Sequence, residues 1–136
     1  LWSDKDLMEV GSLAGNDRFA GSVNFYTAHD GLQRLAETLR GFPAAIPDVR
    51  VIRLGEWAEN HSVGGLEFTL MCTGIRGQAM ARIRMRQHGV GELGEDESVD
   101  FLTEVEPSAV DRFVGMLSLC GPRPGAEARL SLVCSP

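Results

Sequence analysis

Apolar and polar residues alternate in two segments near the start of the chain, residues 7–13 and residues 18–26. Such alternation is typical of strands, because successive side chains then point to opposite faces. The residues between the two segments, "AGND", are typical of a turn. We therefore expect a β-hairpin here.

A helical pattern follows at residues 30–43, where apolar residues recur three and four positions apart. They are Leu32, Leu35, Ala36, Leu39 and Phe42. Asp30 is a good N-cap, and Gln33 three positions later completes the pattern of a capping box. Gly41 and Pro43 indicate where the helix ends. This segment predicts the first helix.

The clearest β pattern lies in "LEFTLMC" and "QAMARIRMR", which are joined by "TGIRG". With Ile75 and Arg76 as the two turn residues, Phe68 lies opposite Ile83 on one face. The same register predicts that the residues opposite each other are similar or complementary in chemistry on both faces of the hairpin. Besides Phe68 and Ile83 they are Leu70 with Ala81, Glu67 with Arg84, Thr69 with Arg82, and Met71 with Met80.

The remaining pattern predicts two more strands and a second helix. The segment "VRVIRLG" is rich in β-branched residues, and "SVDFLTEVE" alternates after a glycine-rich loop, "HGVGELGEDE". Pro107 suits the first turn of a helix, and Gly121 and Pro122 close it. Its apolar face would hold Val110, Phe113, Val114 and Leu117.

These elements predict an α+β fold, with a mainly antiparallel sheet of about six strands and two helices packed on one face. Residues 1–136 would form a single domain. The tail, residues 122–136, would be loosely ordered or would add an edge strand through "ARLSLV". The opposite face of the sheet is then left to water or to a partner.

Composition narrows the class of protein without naming a function. The net charge of -6 disfavours nucleic acid and anionic lipid surfaces. No apolar run approaches the ~20 residues that cross a bilayer, so we expect neither a membrane-spanning segment nor a basic-then-apolar leader. Three cysteines without C-x-x-C spacing favour reduced thiols, and hence a cytoplasmic protein.

The sequence shows no motif for catalysis, a metal or a cofactor, so we expect none of the three. His29 precedes the helix cap, His61 lies in a polar loop and His88 ends a strand, so each is interpreted as a solvated loop histidine. The glycines of "GVGELG" have dinucleotide-loop spacing, but they follow a strand and precede "EDES" rather than a helix. We interpret them as a hairpin loop.

The most informative feature is the polar face of the predicted three-strand meander. Arginines at alternate positions of its middle strand lie between acidic residues on both neighbours, with Glu106 at the far end. Ion pairs on a solvated face explain this pattern, and so does a recognition surface that mixes charged and apolar residues. The candidate partner-binding residues are Glu67, Met71, Met80, Arg82, Arg84, Arg86, Asp100, Leu102, Glu104 and, in the polar loop, Trp57.

Four segments, within residues 18–119, carry a resemblance to a group of small bacterial proteins. They are "GLQRLAETLRGFP", "VRVIRLG", "LEFTLMCTGIRGQAMARIRMR" and "VDFLTEVEPSAVDRFVGML". In this order they resemble WapI-type immunity proteins, which bind and neutralise a toxin domain. The resemblance implies a non-catalytic protein whose partner is a toxin, and the acidic charge suits a basic one.

Two further classes of function stay open. The first is an enzyme or ligand-binding domain that holds a polar small molecule between sheet and helices through Arg82, Arg84 and Glu104. The second is a scaffold or homodimer that self-associates through an exposed strand edge, which any open sheet permits.

Overall fold

A computed structural model of the chain describes residues 7–55, 64–74, 78–90, 94–120, 125 and 127–130. In chain order the elements are β1 Leu7–Gly15, β2 Ala20–Ala28, α1 Gly31–Leu39, β3 Asp48–Gly55, β4 Gly64–Cys72, β5 Ala79–Val90, β6 Glu95–Val105 and α2 Pro107–Leu119. The α+β class, with antiparallel strands and two helices, is confirmed. The strands are divided between two sheets, a β1-β2 hairpin and a four-stranded sheet.

The four-stranded sheet has the order β3-β4-β5-β6, and every neighbouring pair is antiparallel. The register predicted for β4 and β5 is confirmed, since Phe68 lies opposite Ile83 and Glu67 opposite Arg84. The turn predicted at Ile75 and Arg76 lies outside the described residues. Because side chains alternate along each strand, this register decides which residues share a face.

Both helices pack on one face of this sheet, which we call the inner face. Leu39 of α1 and Val110 of α2 are fully buried in one apolar cluster with Leu70 of β4 and Ala81 of β5. The Gln33 side chain joins the helices, because its amide Nε2 donates to the backbone oxygen of Cys120, 2.6 Å away, at the end of α2. The predicted placement of the helices is therefore confirmed.

The β1-β2 hairpin packs on the other end of the same inner face. Val23 and Phe25 of β2 are buried against Ile83, Met85 and Phe101 of the four-stranded sheet. The strand β2 crosses the sheet instead of extending it. Its residues pass from Val99 on β6, over Gly64 on β4, to Gly55 on β3. The hairpin therefore forms a second layer rather than two more strands of the sheet.

Glycines make this crossing close. A Cβ atom on Gly64 would lie 2.7 Å from the backbone oxygen of Asn24, and one on Gly21 would lie 2.8 Å from Cγ1 of Val99. Distances this short are steric clashes, so only glycine fits at either position without displacement of its neighbour. These contacts explain why the hairpin lies across the sheet.

The predicted capping box at the start of α1 is wrong. Asp30 occupies the N-cap position, but its side chain makes no capping hydrogen bond and instead pairs with Arg34 at 2.9 Å. Gln33 is engaged with α2, as described above. A tertiary contact between the helices has thus taken the side chain that the local pattern assigned to the cap.

The predicted glycine-rich loop and the predicted tail also differ from the structure. Most of "HGVGELGEDE" belongs to strands, because β5 continues to Val90 and β6 begins at Glu95, with an irregular register between Gln87 and Val90.

At the other end of the chain, residues 127–130 form no strand. Ala128 and Leu130 are instead half-buried against the helix-covered cluster. Packing on the core, rather than pairing with an edge, therefore holds this part of the tail.

Candidate binding face

The face of the four-stranded sheet opposite the helices and the hairpin is called the open face. Its side chains form three rows across the strands β3, β4, β5 and β6. The rows are Arg53-Glu67-Arg84-Asp100, Val51-Thr69-Arg82-Leu102 and Val49-Met71-Met80-Glu104. None of the described helices or strands packs on these rows. Most of the predicted recognition residues belong to them.

The first row is a continuous chain of ion pairs. Arg53 Nε lies 2.6 Å from a Glu67 carboxylate oxygen, and Arg84 lies 3.3 Å from the other. Arg84 Nε is also 3.6 Å from Asp100. Asp100 is bound by both Nε and Nη2 of Arg82, at 2.9 and 2.6 Å. The charges along this chain therefore alternate without a gap from β3 to β6.

Glu67 is the least exposed member of the row, at 7% of its surface. Burial alone raises the pKa of a carboxyl group, but the hydrogen bonds and positive charges of Arg53 and Arg84 outweigh it, so the pKa of Glu67 is lowered. The pKa of Asp100 is lowered too, chiefly by the hydrogen bonds from Arg82. Both carboxylates are therefore charged at neutral pH.

An apolar patch adjoins the charged row. Val49, Val51 and Leu102 are each more than half exposed, at 54, 56 and 53% of their surface, and Met71 and Met80 lie half-buried between them. A shallow, open depression of about 520 Å³ lies over Met71 and Leu102 and extends to Arg82 and Asp100. Exposed apolar side chains beside ordered charges are typical of surfaces that bind other proteins.

Arg86 does not join the predicted ladder. It pairs instead with Asp96, with its Nη2 atom 2.6 Å from the carboxylate. Asp96 also accepts a hydrogen bond from the backbone of Gly89 and lies 3.3 Å from Nδ1 of His88. The pKa of Asp96 is lowered, most by the hydrogen bond from Arg86 and next by the hydrogen bond from the Gly89 backbone. The irregularity in β5 therefore builds a second polar cluster at the end of the sheet.

His88 is the clearest error among the predicted side chains. The sequence places it beside a glycine-rich loop and suggests a solvated histidine, but only 1% of its surface is exposed. The reason is that β5 runs past it to Val90 and brings it against Asp96. The burial of His88 depends on the length of β5, which the local pattern does not show.

Other predicted residues separate from the charged row. Glu104 lies opposite Met80 and takes part in no ion pair within the described residues. Glu106 occupies the N-cap position of α2 and lies outside the sheet. Trp57 falls outside the described residues. The charged row therefore contains fewer acidic residues than the sequence predicts.

Three residues of the open face are not among the candidates predicted from the sequence, namely Val49, Val51 and Arg53. All belong to β3, and their alternation with Arg50 and Ile52 does indicate that they share a face. The pattern of β3 alone does not indicate that β4 is the strand beside it. Arg50, on the other side, stacks over Phe42 at 5.4 Å and donates to the backbone oxygens of Thr38 and Arg40.

The three residues predicted to hold a small molecule do not lie between the sheet and the helices. Arg82, Arg84 and Glu104 lie on the side away from the helices, so a pocket between sheet and helices is not where these three residues meet. That space is filled by apolar side chains such as Leu39 and Leu70, both fully buried. Within the described residues no three His, Cys, Asp or Glu side chains are grouped as they would be around a metal ion.

Comparison of the chain with models of known families, with curated proteins and with solved structures finds no match. Among the described residues, neither helix has the length and apolar character needed to cross a membrane.

Proposed function

We propose that this chain is a non-catalytic binding protein and that the open face is its partner-binding surface. The observation that supports this most is the exposure of Val51 and Leu102 in the row next to the ion-pair chain. Exposed apolar groups lose unfavourable contact with water when a partner covers them. The neighbouring ion pairs fix the positions of polar groups that a partner must match.

The resemblance to WapI-type immunity proteins supports a toxin domain as the partner. The net charge of -6 would attract a basic domain over a distance. The three rows of the open face are balanced in charge, with three arginines and three acidic residues. They are Arg53, Arg82, Arg84, Glu67, Asp100 and Glu104. Charge therefore favours encounter with such a toxin, whereas apolar contact supplies affinity at the face.

We expect the protein to act in the cytoplasm of the cell that makes the toxin. Cys72 and Cys120 are buried and form no disulfide. Free thiols persist in a reducing compartment, which supports this expectation.

The test begins with the gene next to that of this chain, because an immunity protein is expected beside its toxin. The toxin domain is produced with and without this chain, and cell survival and co-purification are measured. We expect the chain to restore growth and to co-purify with the toxin domain. A neighbouring gene that encodes no toxin, or a toxin domain that this chain neither binds nor neutralises, would contradict the proposal.

A pair of variants tests whether the open face is the surface used. Leu102→Asp places a charge in the centre of the apolar patch, whereas Leu13→Asp places the same charge on the hairpin, where Leu13 is 83% exposed. We expect Leu102→Asp to weaken toxin binding at least tenfold, and Leu13→Asp to leave it unchanged. Equal effects of the two variants would assign binding to another surface.

A further inference from the structure

The charges of the first row have an order that makes the open face complementary to itself. Across β3, β4, β5 and β6 the signs are plus at Arg53, minus at Glu67, plus at Arg84 and minus at Asp100. This order is antisymmetric about the line between β4 and β5. Reversal of the row from right to left turns every plus into a minus.

A two-fold axis parallel to the strands, placed along that line, performs this reversal between two copies that face each other. The axis puts β3 of one copy over β6 of the other, and β4 over β5. Arg53 then faces Asp100 of the second copy, and Glu67 faces Arg84 of the second copy. An in-plane axis that is perpendicular to the strands and runs along this row would instead place each charge over its own kind and is disfavoured.

The apolar residues obey the same symmetry. Val51 would face Leu102 of the second copy, and Met71 would face Met80, so the exposed apolar groups cover each other. Thr69 would face Arg82, which is a compatible polar pair. The one poor match, Val49 with Glu104, falls at a corner of the face where water can still reach the carboxylate.

Contact with a second copy removes little further water from Glu67, the one carboxylate of the row that is already buried. Removal of ions from water is unfavourable when they gain no partners. Glu67 is already 93% buried in the single chain, because its exposure is 7%. Its two arginine partners satisfy both carboxylate oxygens. A second copy would add opposite charges to a row that is already paired.

We propose that the open face binds a second copy of this chain in a symmetric, face-to-face homodimer. This inference rests on the proposed function, because it names the occupant of the same binding face when no toxin domain covers it. Four strands about 4.8 Å apart and the roughly six residues of about 3.4 Å that three rows span give roughly 400 Å² of face. A standard interface buries about 800 Å² per partner, so we expect a weak, reversible dimer.

A charge-swap experiment tests the pairing directly, because Arg53 and Asp100 lie on opposite edges of the sheet within one chain. Arg53→Glu alone would face Asp100 at two symmetric places, and Asp100→Arg alone would face Arg53 at two. Each single variant should dimerise at least about tenfold more weakly than the unchanged chain. In an equimolar mixture, Glu at position 53 of one copy meets Arg at position 100 of the other, so the heterodimer should recover.

The measurement is sedimentation velocity of the purified full chain from about 1 to 200 µM, with circular dichroism to verify that each variant is folded. If Asp100→Arg does not fold, Leu102→Asp replaces it, with Leu13→Asp as the control that should dimerise normally. A chain that stays monomeric at every concentration would overturn the inference. A dimer that both charge variants leave intact, or a mixture of folded Arg53→Glu and Asp100→Arg chains that does not recover, would do the same.

The two proposals fail separately. A monomeric chain that neutralises a toxin domain through the open face would overturn only the homodimer. A homodimer with the expected charge-swap behaviour and no toxin partner would overturn only the immunity function.

Discussion

Arg82 binds both carboxylate oxygens of Asp100, at 2.9 and 2.6 Å, although the two residues are not directly opposite each other on β5 and β6. Two parallel bonds from a guanidinium to a carboxylate hold both groups in one geometry. The contact leaves Leu102, the residue directly opposite Arg82, uncovered by the arginine, and Leu102 is exposed. This diagonal pair therefore keeps charged and apolar groups apart on the open face.

Substitution of Asp100 by Asn should change stability little. Asp100 is 43% exposed, and ion pairs in contact with water contribute less than about 1 kcal/mol. We expect the free energy of unfolding in urea to fall by no more than this amount. A loss several times larger would mean that the row contributes to the fold as well as to the surface.

Substitution of Glu67 by Gln should cost more, about 1–3 kcal/mol. Glu67 is buried and accepts from two arginines, whereas the neutral amide keeps an acceptor oxygen for only one of them and turns its NH2 group toward the other. Urea unfolding of this variant and of Glu104→Gln makes the comparison, since Glu104 is exposed and within the described residues forms no ion pair. The control should stay within about 0.5 kcal/mol of the unchanged chain. Equal losses in both variants would show that the ion pairs of Glu67 contribute nothing.

The part of the open face that the sequence predicts is the part that depends on local pattern. The alternating side chains of β4 and β5 predict the register of these strands, and hence the contact of Glu67 with Arg84. Arg53 could not be placed in this way. It reaches Glu67 because β3 pairs with β4, and that pairing joins segments separated by a long connection.

Contacts between the hairpin and the sheet, and between the two helices, could not be predicted from the sequence either. The hairpin looks like two further strands of the sheet, because its alternation is the same whichever surface it packs on. Whether it extends the sheet or crosses it depends on close approaches at Gly21 and Gly64, which appear only in three dimensions. Gln33 is a similar case, since a side chain suited to a helix cap bonds the end of another helix.

Substitution of Gly64 by Ala should destabilise the protein by about 1–3 kcal/mol, because its Cβ would meet the backbone of β2. Gly115→Ala is the matched control. A Cβ at Gly115, on the exposed side of α2, meets nothing within 4 Å, and alanine favours the helix by up to about 1 kcal/mol. Thermal unfolding followed by circular dichroism should therefore show opposite shifts in Tm. A neutral Gly64→Ala would contradict the close crossing of β2 over β4.

Stability should fall as the pH drops through the acidic range. The pKa values of Asp48, Glu67, Asp96 and Asp100 are all lowered in the folded protein. Between these values and the ordinary carboxyl pKa of about 4, the unfolded chain binds more protons than the folded one. Stability from these groups is thus complete above that ordinary value and is lost as the pH falls through the folded pKa values. Urea unfolding between pH 7 and pH 3 measures this loss.

Removal of two of these carboxylates should flatten the pH dependence. The variant Asp96→Asn with Asp100→Asn lacks two groups whose pKa values arginines lower, so its free energy of unfolding should change less between pH 5 and pH 3. Asp111→Asn is the control, because Asp111 is exposed on α2 and forms no ion pair within the described residues. It should keep the slope of the unchanged chain. The same slope in all three proteins would show that the ion pairs of Asp96 and Asp100 do not cause the loss of stability in acid.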